Sequence, residues 1–112
     1  TEAHPPYLAT QISEPWEVMG MDLVGPLPIS KRGNRFILVI TDHFSKYVEA
    51  IAIPDQTAAT IVTKLMEEVF IQHDFPKKIL TDRGRNFRSE LVQELLKQLN
   101  IKELATASYN PE

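Results

Sequence analysis

The chain has 112 residues, 43% of them hydrophobic and 24% charged. That is the size and balance of one folded domain, and it excludes both a pair of domains and intrinsic disorder of the whole. With no cysteine, a disulfide framework, a cysteine nucleophile and a thiolate zinc site are also excluded. Twelve basic against fifteen acidic residues give a net charge of −3, which weighs against a stand-alone basic nucleic-acid module but not against an enzyme that meets phosphate through bound divalent metal.

Residues 1–15 include Pro5, Pro6 and Pro15 and show no apolar period, so they read as an extended lead-in or linker. Residues 16–24 suit a strand closed by the breaker Gly25-Pro26-Leu27-Pro28. A polar connection, Ser30-Lys31-Arg32-Gly33-Asn34, leads into Phe36-Ile37-Leu38-Val39-Ile40, a continuous apolar run that predicts a strand buried on both faces. This longest apolar run is far too short to cross a bilayer, and no signal-peptide pattern is present. A soluble, intracellular domain with no membrane partner is expected. Residues 42–46 form a second turn, and 47–53 a third β-prone run, which completes an antiparallel meander.

The period then changes. Over 57–72, Ala58, Ile61, Leu65 and Val69, with Val62, Met66 and Phe70, recur at helical spacing, with Thr57 as N-cap and Pro76 as the stop. Residues 78–81 read as a short strand and 82–86 as a loop. Phe87, Leu91, Val92, Leu95, Leu96 and Leu99 predict a second amphipathic helix, ended near Asn100, and 101–105 a last strand. Helical crossovers make the later strands parallel to one another or to the first strand of the meander. The fold class is therefore α/β, a mixed sheet with helices packed on it.

An aspartate inside a strand is unfavourable unless it is paired or metal-bound. Asp22 sits in such a strand between Met21 and Leu23, and Asp82 closes another immediately before a glycine-containing loop. If the strands are parallel neighbours, both carboxylates lie toward the same carboxyl end of the sheet, where α/β sites form. Held close, the pair repel by on the order of a few kcal/mol at an effective dielectric of about 20, and a divalent cation removes that cost. Hard oxygen ligands without sulfur or imidazole nearby favour Mg²⁺ or Mn²⁺. The plainer reading makes each aspartate a turn former or helix cap, and Asp82 before Gly84 fits it well.

Asp42, at the end of the second strand and followed by His43-Phe44-Ser45-Lys46, reads as a structural turn residue. Asp55 and Asp74 flank the first helix; Glu67, Glu68, Glu90 and Glu94 belong to solvated faces. His4, His43 and His73 lack the paired spacing of a metal site. Arg83, Arg85 and Arg88 read equally as phosphate contacts or as a soluble loop. Lys31, Arg32 and Arg35 suit a solvated hairpin, and Trp16 and Phe36 the core.

Four segments together resemble a known family. Pro15-Trp16-Glu17-Val18-Met19-Gly20-Met21-Asp22-Leu23-Val24-Gly25-Pro26-Leu27-Pro28 is similar to the opening of the integrase catalytic core of long-terminal-repeat retrotransposons and retroviruses, nearest to the Ty3/gypsy class. Thr41-Asp42-His43-Phe44-Ser45-Lys46-Tyr47 and Leu80-Thr81-Asp82-Arg83-Gly84-Arg85-Asn86-Phe87 resemble its next two signatures, and Ser108-Tyr109-Asn110-Pro111 the start of its fourth. The motifs stand in the family order and span most of the chain from Trp16, so residues 16–112 are expected to be the catalytic core.

The resemblance implies a ribonuclease H-like mixed five-stranded sheet, a three-stranded antiparallel meander plus two parallel strands, with flanking helices. It implies DNA 3′-end trimming and strand transfer through two aspartates and a glutamate, with Asp22 and Asp82 as the catalytic, metal-binding aspartates. Two Mg²⁺ or Mn²⁺ ions would bridge such a site at about 3.5–4 Å from each other. By the family spacing the glutamate falls a few residues beyond Glu112, so the chain alone is expected to be inactive. Arg83, Arg85, Ser108, Tyr109 and Asn110 are the expected DNA contacts, Asn110 standing where relatives often carry histidine. The implied partners are element ends and target DNA, with a homodimer or higher oligomer in the full protein and a nuclear location. The competing expectations are a domesticated integrase-derived domain serving as an interaction or dimerisation module, and another ribonuclease H-like enzyme such as a transposase or structure-specific nuclease.

Overall fold

The structure is a computed structural model and describes residues 12–81 and 85–105. Strand β1 (Val18–Val24) starts two residues later than the apolar pattern predicts. Residues 13–17 instead form a turn, in which the Glu17 carboxylate accepts from the Ser13 N–H at 2.8 Å and Trp16 takes a φ of 66°. The Trp16 ring, predicted in the core, is half-buried against it. It stacks on His73 with ring centroids 4.3 Å apart, and its indole N–H donates to the Asp74 carbonyl at 3.0 Å.

Strands β2 (Phe36–Asp42) and β3 (Val48–Ile53) complete the meander. β1 and β2 pair antiparallel from Met19↔Asp42 to Val24↔Ile37, and β2 and β3 from Phe36↔Ile53 to Thr41↔Val48. The prediction of burial on both faces of β2 is corrected here. Phe36, Leu38, Ile40 and Asp42 are buried, whereas Ile37 and Val39 are only half-buried. The helices cover one face of the sheet, so the period-2 alternation of the strand separates a packed side from an open one.

After β3, Thr57 caps α1 (Ala58–Lys64), its hydroxyl accepting from the Thr60 N–H. The helix continues as a π-helical segment (Leu65–Phe70) and a closing α turn (Ile71–His73). Apolar spacing placed this helix correctly but carried no sign of the wider π turn. Ile61, Leu65 and Val69 are fully buried against the sheet. Asp74, at a φ of 74°, and Pro76 end the run.

Strand β4 (Lys78–Thr81) pairs parallel with β1, through Val18↔Lys78, Met19↔Ile79 and Gly20↔Leu80. A 3₁₀ turn (Arg85–Arg88) precedes α2 (Glu90–Gln98), which Ser89 caps. Phe87 therefore belongs to the 3₁₀ turn rather than to the predicted helix, and its ring is still buried at 2% exposure. Asn100, at a φ of 58°, turns the chain into β5 (Lys102–Ala105), parallel to β4. The strand order is β3-β2-β1-β4-β5. The core lies between α1, α2 and the sheet face that carries Met19, Met21, Leu38, Ile40, Ile51, Ile53 and Ile79. Among the described residues, no helix is long and apolar enough to cross a membrane.

Candidate active site

Side chains alternate along β1, so Met19 and Met21 enter the core while Gly20 and Asp22 face the open side of the sheet. Their cross-strand partners Thr41 and Val39 share that face, as does Leu80 from β4. Together with His43 and Thr81 these residues line a cavity of about 220 Å³. A larger depression of about 760 Å³ runs along exposed residues of α2, from Glu90 to Lys97, and gathers no comparable strand-end chemistry.

Asp22 is exposed, and its Oδ1 accepts from the Leu23 N–H at 2.8 Å. Its other carboxylate oxygen accepts no hydrogen bond among the described residues. Parallel pairing of β1 with β4 brings Asp22 and Thr81 to the same edge of the sheet: Gly20 pairs with Leu80, Thr81 follows, and Asp22 lies two residues past Gly20.

Of the other predicted site residues, Asp82, Arg83, Ser108, Tyr109 and Asn110 lie outside the described residues, and Arg85 opens the 3₁₀ turn. Among the described residues, no group of three or more histidine, aspartate or glutamate side chains closes on one point. Lys31, Arg32 and Arg35 are exposed, as expected of a solvated hairpin.

Asp42 is separate from this site. It pairs with Met19 on the helix-covered face and is 3% exposed. Its Oδ1 accepts from the N–H groups of Trp16 at 3.0 Å and Phe44 at 3.2 Å, and its Oδ2 accepts from the Ser45 hydroxyl at 2.7 Å. Burial raises the pKa of this carboxyl, but the Ser45 hydroxyl and the backbone N–H groups of Trp16, Phe44 and Ser45 outweigh it and hold the net value below the usual aspartate range. The expected turn role of Asp42 agrees with this geometry.

His43 is the residue the sequence reading passed over. It lies in the turn after β2, as expected, and from there its imidazole folds across Gly20. A Cβ on residue 20 would come within 2.7 Å of His43 Nε2. Glycine inside a strand is the signal of such a close approach. Burial lowers the pKa of His43, the charge of Lys46 adds to that, and Asp42 opposes it. Burial thus favours the uncharged form of the imidazole that walls the cavity.

The integrase core domain family model matches residues 13–111. The chain is 31% identical over 104 residues to the gypsy retrotransposon integrase-like protein 1 of Rattus norvegicus, covering 89% of this chain and 20% of that protein. It is 35% identical over 97 residues to the Gag-Pol polyprotein of woolly monkey sarcoma virus, covering 87% of this chain and 6% of the polyprotein. It thus spans a fifth or less of the length of these relatives. Among solved structures, the HTLV-2 integrase catalytic core domain in complex with magnesium, in its trimeric form, matches with a TM-score of 0.71 at 21% identity. That match covers 84% of this chain and 62% of that one. The ribonuclease H-like sheet expected from the motifs is the fold of these neighbours.

Proposed function

This chain belongs to the integrase core domain family, and from that premise we propose that it contributes two catalytic aspartates, Asp22 and Asp82, to a metal-dependent polynucleotidyl transferase that trims and joins DNA 3′ ends. The observation that supports this most is the exposed, sparsely bonded Asp22 carboxylate at the carboxyl end of β1, beside a parallel β4 whose next residue is Asp82. Among the described residues the second Asp22 oxygen accepts no hydrogen bond, and a free carboxylate oxygen suits a hard divalent cation. The cavity has no thiolate, but, contrary to the expectation of no sulfur or imidazole nearby, Met21 and the His43 imidazole also line it. Mg²⁺ or Mn²⁺, two ions in the complete site, would supply activation of the nucleophile and stabilisation of the leaving oxygen.

The residues of the chain have distinct tasks in this reading. Asp22 and Asp82 hold the metal site, and their mutual repulsion disfavours closing it without a cation. Arg83 and Arg85 neutralise backbone phosphate, and Ser108, Tyr109 and Asn110 contact DNA beside the site. The His43 ring, whose charged form burial disfavours, narrows the cavity over Gly20. Element ends and target DNA are the substrates, the nucleus is the place of action, and the full protein works as a dimer or higher oligomer. A third carboxylate, the glutamate of the family pattern, would complete the metal site in this reading.

The test is Mg²⁺- or Mn²⁺-dependent joining of a labelled DNA end by the intact protein. Both Asp22→Asn and Asp82→Asn should reduce joining to background while the fold persists. Joining that survives either substitution would overturn the assignment of that residue. No joining by folded, metal-supplied wild type would turn the reading toward an interaction or dimerisation module.

A further inference from the structure

Resting on the assignment of Asp82 to the site, we propose that Glu103 and Gln93 form a polar clamp that ties together the two ends of the loop carrying Asp82, which makes both of them positioning residues for the reaction. Thr81, 1% exposed, is the last residue of β4 and precedes Asp82. Its hydroxyl donates to Glu103 Oε2 at 3.1 Å. The other oxygen, Glu103 Oε1, accepts from Gln93 Nε2 at 2.8 Å. The same Gln93 nitrogen donates to the Phe87 carbonyl at 2.9 Å. Phe87 stands in the 3₁₀ turn on the far side of the loop, with its ring buried in the core.

The chemistry permits only one arrangement of this chain of bonds. A carboxylate and a carbonyl both accept, so the Gln93 atom between them must be the nitrogen, and its two hydrogens serve one acceptor each. Three elements thus converge: β5 through Glu103, α2 through Gln93, and the end of β4 through Thr81. Only residues 82–86 lie between the two clamped positions. Fixing both ends of so short a segment restricts the conformations open to it, which is what a metal-ligating aspartate at its first position requires.

The experiment is hydrogen exchange on the intact protein, paired with Mn²⁺ titration. In Glu103→Ala, the amides of residues 85–88 should lose protection by about fivefold to tenfold relative to the core strands, as expected for two lost hydrogen bonds. Mn²⁺ affinity should fall by about tenfold. Glu103→Gln should restore both, since an amide oxygen still accepts from Gln93 and the NH₂ can donate to the Thr81 hydroxyl. Gln93→Ala, which leaves the Thr81–Glu103 bond in place, should loosen residues 85–88 alone and covers the case in which Glu103→Ala does not fold. Unchanged exchange at 85–88, or a loss spread evenly over the whole sheet, would overturn the clamp. A wild type that binds no Mn²⁺ would count against the metal site, while the exchange measurement would still decide the clamp.

Discussion

Asp22 and Asp42 stand on neighbouring strands, and the alternation of the sheet sends their side chains to opposite faces with opposite consequences. Asp42 is enclosed by donors and serves the hairpin turn; Asp22 is left open to solvent and ligand. The sequence separated the two because His43-Phe44-Ser45-Lys46 follows one as a turn and an apolar strand surrounds the other. It could not show the His43 ring over Gly20, since that contact joins β1 to the turn after β2. Asp42 carries a pH signature. Its folded pKa is depressed below the ordinary 3.8, so its contribution is fully present above that value and is lost as pH falls through the folded one. Asp42→Asn should therefore cost about 2 kcal/mol at pH 7 through the lost charge-assisted bonds. The deficit should shrink as the pH falls below the ordinary aspartate range. Urea unfolding of both proteins across that range checks this, and a constant difference at every pH would refute it.

At the scale of elements, the predictions that succeeded rest on local chemistry. Thr57 was legible as an N-cap because a hydroxyl one residue before an apolar helical period meets an orphan N–H, and it bonds Thr60 as expected. Asp55 joins that cap, its Oδ1 accepting from the Thr57 N–H at 3.0 Å and from the hydroxyls of Thr57 and Thr60 at 2.7 Å each. The start of β1 and the 3₁₀ turn at Phe87 were misplaced because distant contacts decide them. Trp16 is drawn toward Asp42 and Asp74, and Phe87 toward the core. The π-helical segment has no signature in the apolar spacing, as one added residue per turn leaves Leu65, Val69 and Phe70 on the buried side. Thr57→Ala should lower stability by about 1 kcal/mol, with Thr57→Ser close to wild type. Thermal unfolding would read the difference, and an alanine variant as stable as the serine one would deny the cap its role.

For the whole molecule, the decisive property is that the helices pack on one side of the sheet and the candidate site opens on the other. This division sets where chemistry can occur, because Asp22, Gly20 and Thr41 share the face that the described helices leave free. The order of elements and the parallel run of the later strands were legible from the change of period along the chain, whereas the pairing of β4 with β1 was one of two options that the period left open. The two-sidedness was not, because an unbroken run such as Phe36-Ile37-Leu38-Val39-Ile40 reads the same whether one face or both are covered. Adjacent residues of β2 test it. Ile40 is fully buried on the packed face, whereas its neighbour Val39 is half-buried on the face of Asp22. Ile40→Ala should cost about 3–4 kcal/mol, as the loss of buried methylenes leaves a cavity. Val39→Ala should cost about 1 kcal/mol or less, since the removed methyl groups are partly solvated already. Urea unfolding of the two variants measures the gap directly. Equal losses would mean that both faces of β2 are packed and that Asp22 stands in a closed interior, which would remove the access that a metal and a DNA end both require.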